Sequence, residues 1–385
     1  MVLHCVRVFI RKVEVVHNLS VKRRSNRYSF VNKSESPQGA PKPQKTTSTS
    51  SKNAFIKHIG KRYRVNRHAL TRAIAAPACF ISAQLLSNID KLPAVQLGNF
   101  LLQIEIGDPS DSVLEIARRE LRETPDIVKS GVDALRRMLK EDNKLRVPWQ
   151  SDAWLIRFLR PCKFYPESAY DLIKRYYTFK IKHHELYDGL LPSREQNVFN
   201  QNILTVLPNR DQLGRRVLIL ELGKHWKHNK CTLDEVFKGC VLFLEAAMLE
   251  PETQICGAVV ILDMDGLSMQ QVWQFTPTFA KRIIDWLQES IPLRVKGLYI
   301  VNQPYIFNMV FQLFKPFLKD KLRSRIVFMG NDRDLLHKHI SPKCLPDCYG
   351  GTLSLPRVSG PQWFELLMLC NEEFKVINSY GYTKA

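Results

Sequence analysis

Ala258-Val259-Val260-Ile261-Leu262 is a run of five apolar residues closed by Asp263. A strand with one wet face alternates apolar and polar residues. This one does not, so both of its faces must be covered. Similar runs stand on either side, at Val217 to Leu220, Leu298 to Val301 and Ile326 to Phe328. Between them the spacing turns helical. Helices are expected from Thr232, as cap, to about Glu250, from Pro277 to Ser290, and from Tyr305 to Lys315. This order predicts an α/β fold with a mostly parallel sheet and helix-covered faces. Leu204 to Leu207 precedes the series across the turn sequence Asn209 to Gly214, which predicts a hairpin or bulged pair.

Upstream the texture is purely helical. Val113, Leu114, Ile116, Ala117 and Leu121 share one pattern, and Ile127, Val128, Val132, Leu135 and Leu139 another. A third helix is expected near Asp152 to Leu159 and a fourth from Pro166. Residues 111–185 therefore read as a small all-α domain. Charge separates what lies before it. The chain of 385 residues carries +20, and residues 1–100 hold +15 of that. Ser34 to Gly39 and Thr46 to Ser51 are polar and without periodicity, as in a disordered linker. The Arg- and Ser-rich, acid-poor composition also resembles an organelle transit peptide. The near-neutral remainder argues against nucleic acid as a partner. Nine scattered cysteines fit a reduced compartment. No apolar run reaches 18 residues, so membrane contact is expected to be peripheral.

Several motifs then occur in order. Ala258 to Gly266 leads to Phe275-Thr276-Pro277. After these stand Ser290 to Gly297, Val301-Asn302-Gln303-Pro304, Phe314 to Leu318, and Leu345 to Gly351. Arg157-Phe158-Leu159-Arg160 stands in the helical part. Together these resemble the CRAL-TRIO lipid-binding family, over residues 111 to 370, in the branch of tocopherol carriers, clavesins and retinaldehyde-binding proteins. The resemblance implies a sheet flooring an apolar cavity, closed by a helical lid. It divides the chain into a basic, largely disordered extension (1–105), a helical domain (111–185), a lipid-binding domain (192–360) and a tail with a short helix (361–385).

In the expected lid, Phe307, Val310, Phe311, Phe314 and Leu318 fall on one helical face, widened by Met309, Leu313 and Phe317. An ordinary core helix would look the same, and the resemblance is what marks it as a gate. Pro316 should weaken its last turn. Arg294, Lys296, Lys321 and Arg325 flank the lid in sequence, the last two spaced four apart as on one helical side. By resemblance Arg160, Arg294, Lys321 and Arg325 are phosphoinositide-binding, and Lys296 is counted with them for its place beside Arg294, against the plain alternative of a solvated basic face. The resemblance also implies cavity residues Phe237, Cys240, Leu244, Leu287, Ile291 and Leu298, over a floor including Val259, Ile261 and Val301.

No Walker-type loop or Gly-x-Ser-x-Gly elbow occurs. Asp263 and Asp265 read as structural. His337, His339, Cys344 and Cys348 fit no common zinc spacing. The expectation is a monomeric, non-enzymatic, cytoplasmic carrier of a small hydrophobic lipid, without metal or cofactor, docking on endosomal or plasma membranes. The competing reading is a phosphoinositide-binding trafficking adaptor with little transfer activity.

Overall fold

The computed structural model describes residues 94–382. The basic extension up to residue 93, with its expected disorder and transit-peptide resemblance, lies outside the described residues.

Strands β1 (Val95–Leu97) and β2 (Phe100–Leu102) form an antiparallel hairpin. Residues 94–105, counted above within a disordered extension, are therefore folded. Their alternation explains it: Val95, Leu102 and Ile104 are buried while Gln96, Leu101 and Gln103 are exposed.

The helical domain follows: α1 (Asp111–Leu121), α2 (Pro125–Glu141), the short β3 (Leu145–Arg146), α3 (Asp152–Leu159) and α4 (Pro166–Lys182). Helix α1 ends at Arg122, whose φ of 64° puts it in the left-handed region. Val113, Ala117 and Leu121 of α1 pack on Ile255 and Cys256. Ser151 caps α3 by accepting from Trp154 N at 3.3 Å.

The main sheet has the order β4-β5-β6-β7-β8: Leu204–Val206, Arg216–Glu221, Ala258–Asp263, Val295–Val301 and Ile326–Gly330. β4 is antiparallel to β5 and the other pairs are parallel. The crossovers are α5 (Leu233–Ala247) with α6 (Pro251–Cys256), α7 (Pro277–Asp285) and α8 (Phe307–Phe314). Thr232 opens α5 with a full capping box: it accepts from Glu235 N, and Glu235 Oε2 accepts from Thr232 N at 2.7 Å. α7 continues as a π-turn through Trp286–Ser290. α8 gives way to a 3₁₀ turn over Lys315–Phe317, where Pro316 supplies no N–H.

Alternation divides the sheet between two cores. Val217, Ile219, Val259, Ile261, Tyr299 and Val301 pack on Leu336, Ile340, Leu345 and Tyr349. Their neighbours turn to the other face, under α5, α7 and α8. The tail exceeds one short helix: α9 (Gly360–Leu369) and α10 (Asn371–Ser379) are followed by β9 (Gly381–Tyr382), which pairs with β3. No helix among the described residues is long and apolar enough to cross a membrane.

Candidate functional site

A cavity of about 250 Å³ lies between the sheet and helices α5, α7 and α8. Phe237, Cys240 and Leu244 reach it from α5, Leu287 and Ile291 from the end of α7, and Leu298 from β7. These six are the residues expected there. Val259 and Ile261 do not reach it, nor does Val301. All three are fully buried in the opposite core. The correction is one of strand parity: on β6 the cavity floor is Ala258, Val260 and Leu262, since side chains of a strand alternate faces. A uniformly apolar run carries no sign of which set points where.

Helix α8 supplies one wall. Phe307, Val310, Phe311 and Phe314 line the cavity, as does Leu318 beyond the helix. Leu313 does not: it is half-buried at the side. Asn308 and Gln312 occupy the exposed face of α8. Phe328 of β8 is 39% exposed and meets Phe311 edge-on at 4.8 Å between centroids. Trp273 and Tyr305 are exposed as well.

The cavity wall is carbon nearly throughout. Its thiol, Cys240, is pushed up to about 12 by burial and stays neutral. Two charged residues reach it, Arg216 and Glu250, and they satisfy each other. Arg216 Nη2 and Nε donate to the two Glu250 oxygens at 2.6 and 2.9 Å. Arg210 Nη2 donates to Glu250 Oε2 at 3.1 Å. The backbone N–H of Glu105 donates to Glu250 Oε1 at 2.9 Å. None of these partners was legible, because a strand Arg beside another Arg reads as ordinary surface.

The basic residues gather where α1, α6 and the start of β7 meet. Gly257, at the end of α6 with φ +85°, lets the chain pass tightly under Arg294, where a Cβ would strike the Arg294 carbonyl. Ala258 N then donates to that carbonyl at 2.9 Å. Across β6 and β7 the register jumps from Ala258–Val295 to Val259–Gly297, leaving Lys296 as an extra residue in a bulge. Arg294 Nη2 and Lys296 Nζ both donate to Glu120 Oε2, at 2.5 and 2.9 Å. Arg160 donates to Glu123 through Nη2 at 2.7 Å and to Gln254 Oε1 through Nη1 at 2.6 Å. Arg325 Nη1 donates to the Val295 carbonyl at 2.5 Å. Burial, and then the charge of Arg294, pull the Arg325 pKa down. Lys321 is exposed and close enough to Cys162 for its charge to act on that thiol. Lys321 and Arg325 do not share a helix side, because the short helix Asp320–Arg323 stops before Arg325.

The structure thus gathers Arg160, Arg294, Lys296 and Arg325, with Lys321 in electrostatic reach of Cys162 in the turn that begins at Arg160. It adds two that sequence reasoning missed, Glu120 and Glu123. Glu120 sits in the last turn of α1 and Glu123 just beyond it, where the helix dipole disfavours a carboxylate. That misplacement was the available signal. Burial pushes the Glu120 carboxyl up, but Lys296 and Arg294 outweigh it and hold it at about 2.

The two arginines of the Arg-Phe-Leu-Arg motif serve different ends. Arg160 joins the patch, whereas Arg157 is buried near Glu245 of α5. Tyr176 also donates to Glu245, and Lys180 Nζ lies 3.1 Å from it. This cluster ties the helical domain to the helix that roofs the cavity.

Residues 200–351 match the CRAL/TRIO domain. The "Alpha-tocopherol transfer protein-like" protein of Mus musculus is 34% identical over 69% of this chain and 76% of its own length. "Clavesin-1" of Pongo abelii is 32% identical over 71% of this chain and 77% of its own. The solved structure titled "Crystal structure of Sfh5" overlaps 70% of this chain and 99% of its own at 17% identity, with a TM-score of 0.38. A mostly parallel sheet under an apolar cavity, and relatives matched over more than two thirds of both chains, identify the protein as a member of the CRAL-TRIO lipid-binding and transfer family.

Proposed function

We propose that this protein is a non-enzymatic carrier of a small hydrophobic lipid, and that it docks on phosphoinositide-bearing membranes to exchange it. The observation that carries the reading is the cavity itself. Its lining is apolar, its two charged residues are spent on each other, and one wall is a helix with few polar anchors. Such a space takes a hydrocarbon-rich molecule, and burial keeps the Cys240 thiol in its wall neutral.

Docking is supported by the patch. Each basic residue at an anionic leaflet contributes about 1 kcal/mol, and Lys321 and Arg325 have no carboxylate partner among the described residues. Arg294 and Arg325 are forks suited to phosphate oxygens. Charge would bring the protein to the surface, and α8 would then swing outward so that its inner phenylalanines enter lipid. Each such side chain is worth roughly 1.5–3 kcal/mol there. The exposed Trp273 and Tyr305 suit the headgroup layer. The protein would act as a monomer at the cytoplasmic side of endosomal or plasma membranes.

The test is native mass spectrometry with lipid extraction on protein from a eukaryotic host. One co-purifying hydrophobic molecule per chain is expected. A chain that is always empty yet binds phosphoinositide vesicles would overturn the carrier reading in favour of a trafficking adaptor. Loss of vesicle binding in Lys321→Glu/Arg325→Glu is the expected result for the docking half.

A further inference from the structure

We propose that residues 94–106 are part of the ligand-binding machinery, and that Ile104 sets the length of hydrophobic ligand the cavity accepts. This deepens the carrier reading and rests on it.

The cavity runs along the strands. One end lies near their carboxyl termini, at Met264, Ile300 and Phe307 of the lid side. The other lies at their amino termini, where Arg216, Ala258 and Val295 open β5, β6 and β7. Ile104 lines the cavity but belongs to neither the sheet nor the roofing helices. It is 6% exposed.

Ile104 is held firmly from both sides. On its amino side, Val95 and Leu102 of the hairpin are buried in the main core. On its carboxyl side, the Glu105 N–H donates to Glu250 at 2.9 Å. The Glu105 carboxylate takes Arg210 Nε at 2.7 Å and lies 3.1 Å from Arg216 Nη2. The strap is thereby latched to the two charged residues of the cavity wall. Their polar atoms are consumed in the latch, so this end offers a ligand only carbon. It suits the terminal methyl of an apolar tail, which would enter from the lid side and stop against Ile104.

Removing side-chain carbon at a stop lengthens the accepted tail, and adding carbon shortens it. Each further buried methylene is worth about fourfold in affinity. The experiment uses the full chain loaded with cis-parinaric acid, displaced by a series of n-alkanols from dodecanol to eicosanol. Unmodified protein should show an optimum length. Ile104→Ala should move it up by about two methylene units and Ile104→Phe should move it down, changing long-to-short preference on the order of tenfold. Ile181→Ala, at an exposed position near the end of α4, should leave the series unchanged. Thermal melts check that each variant folds. Ile104→Met, which keeps the volume, gives a reading should Ile104→Ala unfold: its unbranched chain reaches further and should shorten the optimum. An unchanged optimum in the folded Ile104 variants overturns the inference while the carrier reading stands. Failure of the unmodified chain to bind parinaric acid or any alkanol overturns both.

Discussion

Two carboxylates show how single residues can be placed against local preference. Glu120 ends a helix whose dipole opposes it, and is held by Arg294 and Lys296 instead. Its folded pKa of about 2 lies below the ordinary value of 4.5. The stability it adds is therefore complete above pH ~4.5 and is lost as pH falls toward ~2. Glu120→Gln should flatten that acid limb in thermal melts. The same change removes one negative charge from the patch, worth about 1 kcal/mol at an anionic surface, so vesicles with phosphatidylinositol bisphosphate should bind roughly fivefold tighter. Unchanged vesicle binding would show that Arg294 and Lys296 do not meet headgroup phosphate. Glu373 is the opposite case. Burial raises its carboxyl to about 7, and one of its oxygens has no partner. Folding is then penalised as pH rises from ~4.5 through ~7, by up to about 3 kcal/mol. Glu373→Gln should raise the melting temperature at pH 8 and leave it near the parent's at pH 4.5. Glu120 pairs across more than 170 positions, so its place against the helix dipole is its one local trace, and Glu373 reads as an ordinary first-turn acid.

At the scale of elements the sequence was most legible. The five strands, the cap at Thr232, the proline start of α7 and the break at Pro316 all stand in the chain as period, cap and missing N–H. Parity was not legible. Val259 and Val260 are chemically identical neighbours, yet one is buried in the far core and the other floors the cavity. Only the packed sheet assigns them. A paired substitution separates their roles. Val259→Ala should cost roughly 2 kcal/mol of stability and leave parinaric acid binding intact. Val260→Trp should fill the cavity floor and abolish binding with a smaller loss of stability. Equal effects at both sites would refute the assignment of faces. The hairpin β1–β2 was missed for a different reason. Its alternation is plain in Val95, Leu97, Phe100, Leu102 and Ile104, but it adjoins ninety residues of basic, polar chain whose composition dominated the reading.

On the scale of the whole molecule, the cavity and the basic patch share their framework. β7 gives Val295 and Leu298 to the cavity and Lys296 to the patch. α6 follows the roofing helix α5 and ends on the Ile255 carbonyl that Arg294 grips. β8 begins with Ile326, a cavity residue, directly after Arg325 of the patch. A headgroup that pulls Arg294 and Lys296 away from Glu120 therefore acts on strands that floor the ligand. If the open lid is the form that binds membrane, a bound lipid that favours the closed lid must weaken headgroup affinity, and the headgroup must weaken lipid retention by the same factor. That factor is expected between about 5 and 150, the usual span of such coupling. It is measurable as the ratio of binding constants for soluble inositol bisphosphate headgroup to empty and parinaric-acid-loaded protein. The reciprocal ratio comes from parinaric acid dissociation constants with and without soluble inositol bisphosphate headgroup. Two equal ratios above one establish the linkage. A ratio of one in both directions would mean that patch and cavity work independently, with the lid opened by the bilayer's apolar interior alone.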